Sequence, residues 1–505
     1  MMMRRHILFF IFTLFLIANT VYLHRVPGLF GDEASEGENV YQLRWHDRIT
    51  VIGERSYIGP LIDYVRTPFV LALGYNALAL RLAMLLFSLA TFMLAAVGLR
   101  RMFGETAGMY ALVMMVFSPT YLLKQRLGWA ITLFPFFAFL LLYFLTDKRF
   151  RASTRAVWAG LAAGLGLHNY IVFLPTIVGI MGPAVALHMR RPRALLGWWL
   201  MPLSFWAAFG TQFAVLQIFP EDQGNPREVI ALAGERLAQL PDVLPKVLSG
   251  SVYVARYTGV QFAAGTTWLL TSVLGLLVVV ALLSDKKRAA WLWLAGLVIQ
   301  LLFLILMVDR FTLRYLVVFV LGVWALAGVG LGMLVQVALF RRASLTPAFA
   351  KASAGKPDIA LSEKPGLPSE AHRAKLGVSP ARRGAALLPV ILALVLMAWT
   401  GSSVLVPYLE TGGSGEKFNL GTSVDSAIDM VDIRPLVACV REAGPVWADN
   451  PHVYNRLLYL SRGDKQIHLP LDLNEANWIV DYRLPGQKPG VKCPELEHFR
   501  LVKRK

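Results

Sequence analysis

Cysteine is nearly missing from this chain: Cys439 and Cys493 are the only two, and both fall in the last hundred residues. They are either unrelated thiols or, if this end of the chain faces an oxidising compartment, a disulfide. Charge is scarce too. Only 16% of residues are Asp, Glu, Lys or Arg, and the 32 acids face 50 bases, for a formal net charge of +18. That excess does not mark a nucleic-acid binder, because no nucleic-acid motif accompanies it. The Lys and Arg cluster instead in alternate loops, where they orient a membrane protein. The first apolar run, Ile7 to Tyr22, is followed by His24-Arg25-Val26-Pro27. This is not a small-residue cleavage site, so the run is read as a retained span and not as a secretory signal. His24 and His46 lack metal-ligand spacing. The chain has no evident internal repeat, which weighs against transporters built from duplicated halves.

What is abundant is apolar sequence, 56% of all residues, gathered into long runs. A span needs about 20 apolar residues. About eleven segments qualify by this reading: 7–23, 77–99, 106–122, 128–145, 155–171, 172–188, 194–218, 262–283, 290–308, 313–340 and 386–406. Residues 58–75 are apolar but interrupted by Pro60, Asp63, Arg66 and Pro68, and fit an interfacial or re-entrant helix better than a span. Arg4-Arg5, Arg100-Arg101, Lys148 to Arg151, Arg190 to Arg193, Lys286 to Arg288 and Arg341-Arg342 then fall on one side. That side is cytoplasmic, and so is the N-terminus.

The expected fold is an all-α polytopic membrane domain, residues 1–406, followed by a small C-terminal α/β extracytoplasmic domain, residues 407–505. Its outer loops are 24–76 and 219–261. In the second, Val229, Leu232, Leu237 and Leu240 keep helical spacing, which Pro241 and Pro245 are expected to break. The segment 343–385, rich in Ala, Ser, Pro, Gly and Lys, is expected to be a disordered cytoplasmic linker that grazes anionic head groups. In the C-terminal domain, helices over 433–440 and 451–460 alternate with strands near 445–448, 466–469 and 477–481.

Just beyond the first span stands Gly31-Asp32-Glu33-Ala34, at the head of a long polar loop. Taken alone, two acids there read as an ordinary solvated loop. Other residues change that reading. Tyr57-Ile58-Gly59-Pro60-Leu61 follows, then Ala79-Leu80-Arg81-Leu82 opens the second span and Arg100 to Gly104 closes it. Ser118-Pro119 ends the third span, and Arg314-Tyr315 opens the tenth. In order, spacing and sidedness these short motifs resemble the GT-C glycosyltransferases, in the branch of dolichyl-phosphate-mannose protein mannosyltransferases and bacterial aminoarabinose transferases.

The resemblance implies a transferase in a bacterial inner membrane that uses a polyprenyl-phosphate sugar donor at the outer leaflet. The acceptor is a hydroxyl of a lipid, a glycan or a protein. Asp32 matches the position of the family's catalytic acid and is expected to be the general base, since an acceptor hydroxyl is a poor nucleophile at neutral pH. Attack at the anomeric carbon would invert configuration, with polyprenyl phosphate leaving. Glu33 is expected to orient the acceptor or help hold a divalent metal; the alternative is a solvated neighbour. The anionic leaving group calls for fixed positive charge. Candidates are Arg314, Arg81, Lys124, Arg126, Arg310 and Arg256, each with the alternative of snorkelling to lipid phosphate. His168 and Tyr57 are candidates for substrate contact, though an interfacial histidine whose bonds are satisfied within the protein explains His168 as well. Asp63 is a further acid, but Gly59-Pro60-Leu61-Ile62-Asp63 is not the relatives' paired proline with an adjacent acid.

Two other classes stay open on sequence. A transporter or flippase of a lipid-linked glycan would share the many helices and the basic cavity. It should also carry ionisable groups near mid-membrane, and the expected spans are almost wholly apolar there. A catalytically inactive scaffold that recruits partners is the third.

Overall fold

An apolar segment that leaves water must satisfy every backbone N–H and C=O within itself, so such segments become helices. The computed structural model describes residues 2–24, 29, 31–45, 57–189, 198–218, 232–258, 262–307, 313–352, 380–400, 402, 434–448, 451–462, 478–482 and 499–503. The first half of the membrane domain comprises α1 (Met2–Thr20), α2 (Gly31–Trp45), α3 (Leu61–Leu73), α4 (Ala77–Phe103), α5 (Glu105–Val116), α6 (Pro119–Lys124), α7 (Phe134–Thr146), α8 (Ala152–Asn169) and α9 (Leu174–Met189). There follow α10 (Leu200–Ile218), α11 (Ala233–Leu248), α12 (Ser251–Thr258), α13 (Ala264–Leu283), α14 (Lys287–Met307), α15 (Val317–Ala352) and α16 (Pro380–Thr400). Each apolar segment read from the sequence overlaps one of these helices. Among the described residues four helices are long and apolar enough to cross a membrane by length and composition: α4, α13, Lys287–Leu306 of α14 and Val317–Ala338 of α15.

Lipid offers no hydrophobic drive between helices, so close packing has to hold the bundle. Small residues permit it. Gly160 and Gly164 of α8 sit against the backbone of Met201 and Phe205 in α10, and Gly328 and Gly332 of α15 against Tyr110, Ala111 and Ala107 of α5. Trp324 is buried and ties α15 to α11 by donating from Nε1 to the Leu248 carbonyl at 2.8 Å.

The structure departs from the sequence reading in three places. The polar loop 24–76 contains the 15-residue helix α2, ahead of α3, which falls within the helix expected over 58–75. Pro241 and Pro245 lie inside α11 and do not end it. Neighbouring groups support the chain there: the Pro245 carbonyl accepts from Ser249 N and from Thr271 Oγ1, each at 3.0 Å. The segment expected as linker, 343–385, begins within α15 and ends within α16, and 353–379 lie outside the described residues.

The C-terminal domain is α/β. It comprises α17 (Arg434–Ala443), β1 (Val446–Ala448), α18 (Pro451–Ser461), β2 (Trp478–Tyr482) and β3 (Phe499–Lys503). The sheet order is β1-β2-β3, with β1 parallel and β3 antiparallel to β2. β3 was not foreseen, and the strand expected at 466–469 lies outside the described residues. Leu436, Val440, Val446, Val453, Leu457, Val480 and Leu501 form a core of their own.

Candidate active site

The site is built on α2. Asp32 and Glu33 occupy its first turn, where carboxylates complement the exposed N–H groups of a helix start. Along α2, Glu33, Glu36, Gly37 and Val40 are buried while Asp32 is half-buried. That i, i+3, i+4, i+7 spacing is one helix face. This buried face is made largely of carboxylates, so it must be answered by cations and N–H donors.

Two buried ion pairs answer it. Arg81 of α4, wholly buried, grips Glu33 as a fork: Nε donates to Oε1 and Nη2 to Oε2, each at 2.8 Å. Its Nη1 donates to the Leu23 carbonyl at 2.9 Å. Arg66 of α3, equally buried, donates from Nη2 to Glu36 Oε2 at 2.7 Å and from Nη1 to Asp63 Oδ1 at 3.3 Å.

Both carboxylates also hold the segment between α6 and α7. Gly128 N donates to Glu33 Oε1 at 2.7 Å and Ala130 N to Glu36 Oε2 at 2.9 Å, while the Gly128 carbonyl accepts from Arg66. Only glycine fits at 128, where a Cβ would lie 2.7 Å from both Glu33 Oε1 and Leu80 Cβ. Lys124, the last residue of α6, and Arg126, two residues on, are cations and both buried. Arg126 Nη1 donates to the Ala18 carbonyl at 2.7 Å and Nη2 to that of Val21. Burial, with the neighbouring Arg81 charge, lowers the Arg126 pKa to about 9. Lys124 Nζ lies 4.9 Å from the centroid of the Trp129 ring and 5.6 Å from that of Tyr253.

A second strip adjoins this one. The Tyr57 ring meets Tyr170 at 5.6 Å, and Gly59 N donates to the Asn169 carbonyl at 3.3 Å. Asn169 Nδ2 donates to the Ala130 carbonyl at 3.0 Å, which joins this strip to the segment Glu36 holds. The Tyr170 and Tyr315 hydroxyls lie 3.2 Å apart. His168 is half-buried at the end of α8.

The structure therefore joins Glu33 with Arg81, and Asp63 with Arg66 and Glu36, around the chain that follows Lys124 and Arg126; Asp32 precedes Glu33 on α2, and Tyr57 and His168 flank Gly59. Arg314 lies in the short 3-10 turn Leu313–Leu316, next to Tyr315, and Arg256 in α12. Arg310 and Cys493 lie outside the described residues. Cys439 is disulfide-bonded and buried in the C-terminal core. Glu33 is not a solvated neighbour: it is 1% exposed and its carboxylate is filled by Arg81 and Gly128 N. Among the described residues no three His, Cys, Asp or Glu side chains stand close enough to hold a metal.

Sequence reasoning missed Glu36, and treated Arg66 only as an interruption. Both left a signal. Glu33 and Glu36 are spaced to share a helix face, and an Arg inside an apolar stretch requires an anionic partner.

No protein-family model matches the sequence, and no curated protein matches it. Solved structures do. ArnT from Cupriavidus metallidurans bound to undecaprenyl phosphate is similar at a TM-score of 0.53 and 15% identity, over 94% of this chain and 92% of that one. The same protein in the apo state gives 0.51 and 14%, over 93% and 90%. An oligosaccharyltransferase from Archaeoglobus fulgidus in the apo form gives 0.43 and 12%, over 96% and 62%. The chain therefore shares its fold with ArnT over nearly the whole of both chains.

Proposed function

We propose that this protein is an inverting glycosyltransferase that moves a sugar from a polyprenyl-phosphate donor to a hydroxyl acceptor, a lipid, glycan or protein, at the outer face of a bacterial inner membrane. The observation that carries the reading is the presentation of Asp32. It is half-buried on the first turn of a helix locked by the buried pairs Glu33–Arg81, on that same turn, and Glu36–Arg66, on the next. A carboxylate held this way is oriented before substrate arrives, which is what general-base catalysis requires.

In the proposed step Asp32 accepts the proton of the acceptor hydroxyl as its oxygen bonds to the anomeric carbon. The bond from that carbon to the phosphate oxygen breaks on the opposite face, and polyprenyl phosphate leaves with the electron pair. Lys124, Arg126 and Arg314 are assigned to the phosphate, whose developing charge favours fixed cations. Arg81 is assigned to Glu33, which its fork already grips. A divalent metal, where the reaction uses one, would supply further positive charge at the phosphate. The similarity to ArnT bound to undecaprenyl phosphate supports a polyprenyl-phosphate donor. The loop charges support a cytoplasmic N-terminus and a periplasmic C-terminal domain.

The test is Asp32→Asn in membranes supplied with a radiolabelled polyprenyl-phosphate sugar. Transfer should fall by about 10²–10⁴-fold with the fold retained. Unchanged transfer rejects Asp32 as the base, and movement of intact lipid-linked glycan across the bilayer without transfer identifies a flippase instead.

A further inference from the structure

The C-terminal domain meets the membrane domain at the helix that carries Asp32. Tyr459, on α18, is completely buried. Its hydroxyl donates to the Asn76 carbonyl at 3.1 Å, just ahead of α4, and its ring meets Tyr75 edge-on at 5.6 Å. The same ring lies so close to α2 that a Cβ at Gly37 would stand 2.7 Å from Tyr459 Cε2. One residue past α18, Arg462 Nε donates to both oxygens of Glu38, at 3.0 and 3.2 Å. Its guanidinium carbon lies 3.9 Å from the centroid of the Tyr41 ring. Helix α2 is thus held from two directions. Glu33 and Glu36 tie it to the bundle, while Gly37, Glu38 and Tyr41 tie it to α18 and the residue that follows.

We propose that Tyr459 and Arg462 are positioning residues for sugar transfer: the C-terminal domain fixes the axial and rotational setting of α2, and so aims Asp32. The inference rests on the reading of Asp32 as general base. Magnitudes separate it from a purely structural role. The Arg462 and Glu38 side chains keep 27% and 12% of their exposure. Arg462 is thus partly open while Glu38 is buried, so loss of the pair carries some cost in stability as well. Displacement of a reacting group by about 1 Å costs up to about 10²-fold in rate. Loss of the Arg462 pair should therefore lower turnover in protein that is still folded at the assay temperature.

The experiment uses the full-length protein in lipid nanodiscs, with Tyr459→Phe, Arg462→Gln, Glu38→Gln and the exchanged pair Glu38→Arg with Arg462→Glu. The single variants should lower kcat by about ten- to a hundredfold, with the KM for a polyprenyl-phosphate sugar unchanged and the protein still folded at the assay temperature. Amide exchange over 31–45 should rise in the single variants, and the exchanged pair should recover both protection and kcat. Unchanged kcat in the single variants overturns the proposal. So does a raised donor KM at constant kcat, which would assign Arg462 to substrate. Amide exchange is independent of chemistry, so the two readings fail separately. Undiminished transfer by Asp32→Asn removes the base assignment alone, whereas unchanged protection of 31–45 in Arg462→Gln removes the clamp alone.

Discussion

Arg81 and Glu33 form a pair whose members are 0% and 1% exposed, and such pairs are stable as units while being intolerant of losing one member. Removing one partner leaves an uncompensated buried charge at a cost of about 3–5 kcal/mol, whereas replacing both with apolar residues is often neutral. Arg81→Gln should therefore lower the melting temperature sharply, and Arg81→Met with Glu33→Leu should regain much of the loss. If Arg81→Gln instead weakened donor binding and left the melting temperature unchanged, Arg81 would be a phosphate ligand and the assignment above would be wrong. At this scale the sequence was legible where a residue's chemistry is unusual for its surroundings. Asp32 stood out only once the motifs that follow it were read with it, since the acid pair alone reads as a solvated loop, and Lys124 and Arg126 as cations on the face where an anionic leaving group would form. The partnership of Arg81 with Glu33 was not legible, because 48 positions separate them and only the folded chain sets which cation meets which acid.

Among the elements, α2 was the hardest to anticipate. Its apolar content is too low for an amphipathic signal, since its buried face is composed of Glu33, Glu36 and Gly37 beside Ala34 and Val40. Hydropathy counts those acids as solvent-facing, and it is the guanidinium of Arg66 or Arg81 that reverses the sign. Helix α11 ran on through Pro241 and Pro245 for a related reason: packing and side-chain donors such as Thr271 lie beyond what local propensity reports. The turn after α7 offers a prediction of its own. Asp147 accepts from the Arg149 guanidinium and backbone N–H, and from Arg101 Nη2 at 3.1 Å. Arg149 chiefly, against the opposing effect of burial, holds the Asp147 carboxyl well below the usual carboxylate range. A depressed carboxylate contributes stability that is fully present above its unfolded pKa, about 4, and is lost as pH falls through the lower folded value. Melting temperature measured against pH in micelles should therefore drop less below about pH 4 for Asp147→Asn than for the parent. Parallel curves would contradict this.

For the molecule as a whole, the helical membrane architecture was readable because the bilayer leaves an apolar chain so few alternatives. Each expected span, from 7–23 to 386–406, overlaps a helix for that reason. The docking of the C-terminal domain on α2 had no such signal, since Tyr459 and Arg462 look like ordinary residues near a helix end. That domain carries a prediction about its environment. Cys439 is disulfide-bonded, and Cys493 is the only other cysteine in the chain. Alkylation of the unreduced, denatured protein should leave its mass unchanged, and prior reduction should let it gain two alkyl groups. Free thiols before reduction would argue against an oxidising compartment for this domain.

The most direct measurement of the central claim is a single turnover of Asp32→Asn with the polyprenyl-phosphate sugar already bound. The account predicts a donor Kd equal to that of the parent and a transfer step slowed by about 10²–10⁴-fold. Transfer at the parental rate, or a loss confined to donor binding, would show that Asp32 does not take the proton.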